Sequence, residues 1–213
     1  RTGKEIWRCV APDAGRSAYA AMMVTEVGGV RQYVAFLSQA LLGVRATDGQ
    51  LLWCYKKVLG PAANSHTPMV HGDRILVSTG YGSGIASLKL VANGDKVDAQ
   101  EQYFERSNLD AFQDNALLVG EHVFDSGGSG SVVCLESKTG QKAWDSIRLK
   151  GAGRVAMIFA DERLYVRQSE GRVTLFDVST KAFVERGGFD IPNAVRAAGA
   201  TFPVIAGGRL YLR

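Results

Sequence analysis

The 213-residue chain carries 25 Lys and Arg against 21 Asp and Glu, a formal net charge of +4, and is 46% apolar. That length fits one large domain or two small ones with a sizeable core, and the dispersed charge describes a solvated surface, which argues against a nucleic-acid partner. No apolar run approaches the ~18 residues of a membrane-spanning helix, and Cys9, Cys54 and Cys134 form no C-x-x-C pair, which excludes a structural zinc or thioredoxin-type motif.

In chain order, the first segment, "RTGKEIWRC", places a turn glycine four residues before a tryptophan. The offset recurs in "ATDGQLLWCY" and "SKTGQKAW": Gly3 precedes Trp7, Gly49 precedes Trp53 and Gly140 precedes Trp144, which accounts for all three tryptophans. Gly3 to Gly49 is 46 residues, and Gly49 to Gly140 is 91, close to two periods. The intervening turn falls at Gly94 in "LVANGDK". There Asp98 holds the tryptophan place and an aromatic arrives only at Tyr103, so this unit reads as lengthened. A degenerate copy, "FDVSTKAF", puts Lys181 where Gly140 stood. Cys9 and Cys54 fall just after a repeat tryptophan and read as core filling.

A second ruler has the same period. "VHGDRILVS", "LVGEHVFDS", "FADERLYVR" and "IAGGRLYLR" each lead through a turn into a strand, with exit residues Arg74, His122, Arg163 and Arg209; "EVGGVRQYVAF" is a looser copy around Arg31. Two rulers with one period establish an internal repeat. Each unit reads as four short strands. In the third complete unit they are expected near Asn115–Val119, His122–Asp125, Ser131–Glu136 and Gln141–Ile147, separated by "GE", "SGGSG" and "SKTG" turns. Strands such as "RILVS" and "SVVCL" are apolar at successive positions, which requires burial on both faces. Residues 98–112, "DAQEQYFERSNLDAF", are the one stretch with a helical pattern.

Tandem four-stranded sheets of this length are the blades of a β-propeller. The all-β chain is therefore expected to form a partial arc of about four to five blades in a single domain. The repeats are placed at 1–10 (the last strand of a blade), 17–57, 64–106, 113–149, 153–187 and 201–213 (the first strands of a blade). Opening inside a turn and stopping at "GGRLYLR", the chain reads as a segment of a longer protein whose ring has about seven or eight blades, and as one that exposes apolar blade faces when alone. A tryptophan at one place per blade can wedge between neighbouring sheets. Burying roughly 150–250 Å² of ring, at about 25 cal/mol per Å², gives on the order of 4–6 kcal/mol of gross burial each.

These turns carry a family resemblance. "TGKEIW", "TDGQLLW" and "KTGQKAW" resemble the tryptophan-docking repeat of the PQQ-like (pyrroloquinoline-quinone) propellers, which reads roughly A-x-D-x-x-T-G-x-x-x-W. "CLESKTGQKAW" is the best match, with Glu136 in the usual Asp place; "FDVSTKAF" keeps Asp177 and Thr180 but loses the Gly and the Trp. The resemblance covers essentially the whole chain and assigns structural docking to Trp7, Trp53, Trp144, Gly3, Gly49 and Gly140. It implies one of two functions. Quinoprotein dehydrogenases oxidise alcohols or sugars with PQQ and calcium. Non-catalytic members include the lipoprotein scaffold of the outer-membrane β-barrel assembly machinery.

The chain lacks the adjacent cysteine pair usual in the dehydrogenases. Asp110, Asp114 and Asn115 could supply oxygen ligands to calcium, but "NLDAFQDN" reads as a polar loop between blades. "TGYGSG" at Thr79–Gly84 has no following helix to receive a phosphate and reads as a hairpin loop, as does "SGGSG" at Ser126–Gly130. His66, His71 and His122 lack the neighbours a metal needs, and no catalytic residues are assigned. The loops entering each first strand, and those joining second to third strands, share one face. They hold Asn64, Ser65, His66, Tyr81, Gln113, Asn115, Arg154 and Arg196, a candidate binding face. The expected function is a non-catalytic binding or scaffolding propeller without a cofactor, meeting a protein, a small molecule or a polymer. By resemblance it is placed in the periplasm or otherwise outside the cytoplasm. The alternative is a PQQ- and calcium-dependent alcohol or sugar dehydrogenase whose catalytic blades lie mainly elsewhere in the protein.

Overall fold

A computed structural model describes residues 2–80, 82–106, 116–127, 130–151, 153–178, 183–194 and 201–213. All regular structure among them is strand. Four antiparallel four-stranded meanders follow one another: β1 to β4 (Met23–Val27, Val30–Phe36, Leu41–Arg45, Leu51–Tyr55), then β5 to β8 (Met69–His71, Arg74–Thr79, Gly84–Asn93, Lys96–Glu105). Next come β9 to β12 (Leu117–Val119, His122–Gly127, Ser131–Glu136, Lys142–Arg148) and β13 to β16 (Val155–Ala160, Arg163–Gln168, Arg172–Val178, Phe183–Asp190). A two-stranded sheet, β17 (Val204–Ala206) and β18 (Arg209–Tyr211), closes the series. Each of Arg74, His122, Arg163 and Arg209 is the first residue of a second strand. The reason is local: a two-residue turn leaves one choice of where pairing resumes.

The chain divides into two compact units, residues 1–107 and 108–213. In the first, β1 lies beside β5 and β4 beside β8. One core cluster draws Val34, Phe36, Leu41 and Trp53 from the first sheet and Ile75, Val77, Leu88 and Leu90 from the second. In the second unit, Phe124, Val132 and Cys134 join Met157, Leu164, Val166 and Phe176. The third strand β3 is buried at successive positions, Leu41, Leu42, Gly43 and Val44, because one core cluster covers the face of Leu41 and another that of Leu42 and Val44.

Every four-stranded sheet has a register shift between its third and fourth strands directly after one matched pair, and the third sheet has a second shift between Val132 and Cys134. Gly43 faces Trp53 just before the bulge, Ser87 faces Tyr103, Cys134 faces Trp144 and Leu175 faces Gly187. The turn ahead of this site also repeats. Gly49 N–H donates to Arg45 O at 3.0 Å and Gly140 N–H to Glu136 O at 2.8 Å; Ala46 N–H donates to Arg31 O and Ser137 N–H to Glu121 O, both at 2.9 Å. Gly3, Gly49 and Gly140 all have φ between +72° and +77°, a conformation that favours glycine.

Four expectations are corrected. Residues 2–10 form no strand and pair with none of the described strands. Residues 96–105 are β8 rather than the start of a helix, and the rest of the helical pattern from 107 lies outside the described residues. The Asn93–Lys96 turn and the β7 ladder set that outcome, overriding local propensity. In the fourth sheet the tryptophan place falls at Gly187, two residues beyond the count from Lys181. Cys54 is exposed on the opposite face of β4 from Trp53, whereas Cys9 is half-buried and Cys134 fully buried.

Candidate functional site

The second strands end in buried polar side chains, and these tie down the loops that lead into the first strands. His66 Nδ1 lies 2.9 Å from Ser78 Oγ, and Thr79 Oγ1 donates to Ala63 O at 3.2 Å. Asn64 Oδ1 accepts from Gly60 N–H at 2.8 Å, while its Nδ2 donates to Leu37 O at 2.7 Å. In the fourth sheet Ser169 N–H donates to Arg154 O at 2.9 Å, and Ser169 Oγ accepts from Arg154 N–H at 3.2 Å. Gln168 Nε2 donates to Lys150 O at 2.9 Å. Loop backbone that turns inward needs such partners.

This revises the candidate face. Asn64 and His66 are each 1% exposed and serve as braces, not as a free recognition surface. Burial lowers the His66 pKa to about 4, so its imidazole is neutral at pH 7. Ser65 and Arg154 are half-buried. Tyr81, Gln113, Asn115 and Arg196 lie outside the described residues, as do Asp110 and Asp114. The sequence marked the loops correctly as polar; it could not distinguish a side chain facing water from one facing a carbonyl.

The three tryptophans have unlike surroundings, contrary to the expectation of equivalent pegs. Trp7 crosses to the next repeat: its Nε1 donates to Ala46 O at 3.0 Å, and a Cβ on Gly49 would stand 2.5 Å from its Cε3. Trp53 covers Gly43 of its own sheet and donates from Nε1 to Gln32 Oε1 at 2.7 Å. It does not reach Gly94, whose surroundings are open, because β7 and β8 are ten residues long and carry that turn away. Trp144 sits between Phe124 and Phe183, at ring-centroid distances of 6.5 and 5.7 Å, and its buried Nε1 has no partner among the described residues. Nothing lies within 4 Å of a Cβ built on Gly3.

One open cleft in the second unit combines charge with aromatic surface. It has a volume of about 190 Å³ and is lined by Lys150, Gln168, Arg172, Phe176, Phe183 and Glu185 among others. Arg172 bridges Glu185 at 3.6 Å and Asp190 at 3.5 Å, and the Phe176 and Phe183 rings stack with centroids 3.9 Å apart. Such a cleft can hold a mixed polar and apolar group. Neither Arg172 nor Gln168 was legible as a site residue, since nothing in the spacing of "QSEGRVTLF" tells which side chains turn toward the neighbouring sheet. Among the described residues no three His, Cys, Asp or Glu gather as metal ligands.

The family described as outer membrane protein assembly factor BamB, of the PQQ-like kind, matches residues 1–186. The structure resembles that of BamB from Moraxella catarrhalis, with a TM-score of 0.60 and 18% identity over 87% of this chain and 52% of that one. It also resembles a putative 6-phosphogluconolactonase from Bacteroides uniformis ATCC 8492, with a TM-score of 0.64 and 14% identity over 90% of this chain and 62% of that one. At such identities the likeness concerns the fold, and the chain spans between half and two thirds of their lengths. No curated protein sequence matches. With four bulged meanders of one design and a family match over most of its length, the chain belongs to the PQQ-like β-propeller family of BamB.

Proposed function

We propose that this chain is part of a non-catalytic propeller that acts as a binding or scaffolding domain outside the cytoplasm, with a protein as its principal partner. The observation that carries this reading is the match of residues 1–186 to a family of outer membrane assembly factors. The loop ends support it. His66 and Ser78 resemble a base beside a hydroxyl, yet both are at least 98% buried, and a nucleophile needs access to substrate. The cysteines at 9, 54 and 134 leave no adjacent pair of the kind usual in quinoprotein dehydrogenases.

The test is direct. The full-length protein is incubated with PQQ and calcium and assayed for dye reduction with a panel of alcohols and sugars. The scaffold reading expects no turnover above a protein-free control, and robust turnover overturns it. Fractionation of cells expressing the full-length protein should recover it with periplasm or envelope; recovery in cytosol alone overturns the placement.

A further inference from the structure

The extra register shift of the third sheet makes the two units differ at one place. Tyr55 faces Leu41, two residues before the matched Gly43, and Ile147 faces Val132, two residues before the matched Cys134. Ile147 therefore stands where Tyr55 stands, with one extra residue on β12. The neighbouring sheets correspond as well: Glu101 faces Leu88 and Glu185 faces Phe176, each directly after the shift that follows Ser87 or Leu175. In the first unit Glu101 accepts from the Tyr55 hydroxyl at 2.7 Å and from Lys57 Nζ at 2.8 Å. In the second unit Ile147 offers Glu185 no hydroxyl, and the carboxylate has Arg172 at 3.6 Å.

The cleft of about 190 Å³ lies at this place, with Ile147, Phe183, Arg172 and Glu185 in its lining. Its walls are the third and fourth sheets, both complete with four strands. A hollow of about 420 Å³ adjoins it, sharing Lys150, Gln168 and Arg172 and adding Gly151, Glu170 and Asp190. The polar groups are held in place. Gln168 is 1% exposed and fixed by its Nε2 bond to Lys150 O at 2.9 Å, which leaves its Oε1 as an acceptor. Glu185 and Asp190 hold Arg172 from two sides.

This chemistry specifies the ligand. Arg148, Lys150 and Arg172 are matched in number by Glu170, Glu185 and Asp190, so a ligand gains nothing from a net charge and a neutral one keeps the ion pairs intact. Donors and acceptors stand side by side, which suits hydroxyl groups, since each both donates and accepts. Ile147 and Phe183 offer an apolar wall to a ring face. The cleft holds the space of about six waters at roughly 30 Å³ each, enough for one six-membered ring, and the adjoining hollow has room for a second.

We propose that the cleft and its adjoining hollow bind a neutral disaccharide unit of a glycan, with one sugar hydroxyl donating to Glu185 as Tyr55 donates to Glu101. The site needs neither PQQ nor turnover, so it stands or falls apart from the scaffold reading.

The probes are cellobiose, maltose and N,N′-diacetylchitobiose, each titrated into the full-length protein without PQQ and followed by isothermal titration calorimetry. Saturable binding of at least one is expected. Ile147→Tyr fills the cleft as Tyr55 does in the first unit and should weaken that binding at least tenfold. Should this variant fail to fold, Glu185→Ala removes the acceptor and should have the same effect, with a melting temperature within a few degrees of the parent. Binding of p-cresol but of none of the disaccharides overturns the polyol class. Absence of binding by all four, or disaccharide binding indifferent to Glu185→Ala, overturns the site.

Discussion

The indole of Trp7 rests against Gly49, the turn glycine of the following repeat, and its Nε1 donates to Ala46 O three residues earlier. One side chain thus reads both the shape and the hydrogen-bonding capacity of a neighbouring turn. A Cβ on Gly49 would meet Trp7 Cε3 at 2.5 Å, and the residue has φ +77°. Gly49→Ala should therefore combine left-handed strain with overpacking, and we expect a loss of about 2–4 kcal/mol. Gly3→Ala has nearly the same φ but meets open space, and should cost only the backbone strain of about 1–2 kcal/mol. Urea denaturation of both variants decides; equal losses would show that the Trp7 contact contributes little.

Gln32 is fully buried and supplies the acceptor for Trp53 Nε1 at 2.7 Å. Gln32→Met keeps the volume and leaves the indole N–H without a partner, at an expected cost of about 1–3 kcal/mol. Removing the N–H as well, by Trp53→Phe, should recover part of that loss. A double-mutant cycle is expected to yield a coupling of about 1 kcal/mol or more, and a coupling near zero would place the hydrogen bond outside the stability of the sheet.

Burial depresses the folded-state pKa of His66 from 6.5 to about 4. The unfolded chain therefore takes up the proton first as pH falls. The contribution of a neutral His66 is fully present above pH 6.5 and is lost progressively toward pH 4. At 1.36 kcal/mol per unit the loss amounts to about 3 kcal/mol. His66→Gln retains a polar partner for Ser78 and cannot titrate, so its stability curve should be flatter across that window. Parallel curves for parent and variant would contradict this account.

The β13–β14 turn sets Asp161 at φ +49° and Glu162 at φ +59°. Asp tolerates this region, whereas Glu has no local hydrogen bond to offset the strain. Glu162→Gly should raise stability by about 0.5–1 kcal/mol, read as an increase in melting temperature; a decrease would indicate that the Glu162 side chain contributes more than its backbone costs.

The turns were legible because their requirements are local. A glycine at positive φ and a two-residue reversal leave their mark on four or five consecutive residues, so Arg74, His122, Arg163 and Arg209 could be located as strand starts by counting. Counting failed where the repeat changed length. The ten-residue β7 and β8 carried Gly94 out of Trp53's reach, and the fourth sheet moved the tryptophan place to Gly187. Spacing cannot show how far a ladder continues; that depends on pairing with the preceding strand.

The roles of individual side chains belong to another level. Asn64 and His66 are polar residues in a loop on any reading of the chain, yet packing of the sheets turned them inward onto Leu37 O and Ser78 Oγ. Likewise, "VERGGF" is only a glycine-containing strand until register sets Gly187 opposite Leu175. Repetition and turn chemistry act between near neighbours along the chain and so are written in residue order. Burial and cavities arise from surfaces that meet across tens of residues, and only folding brings those together.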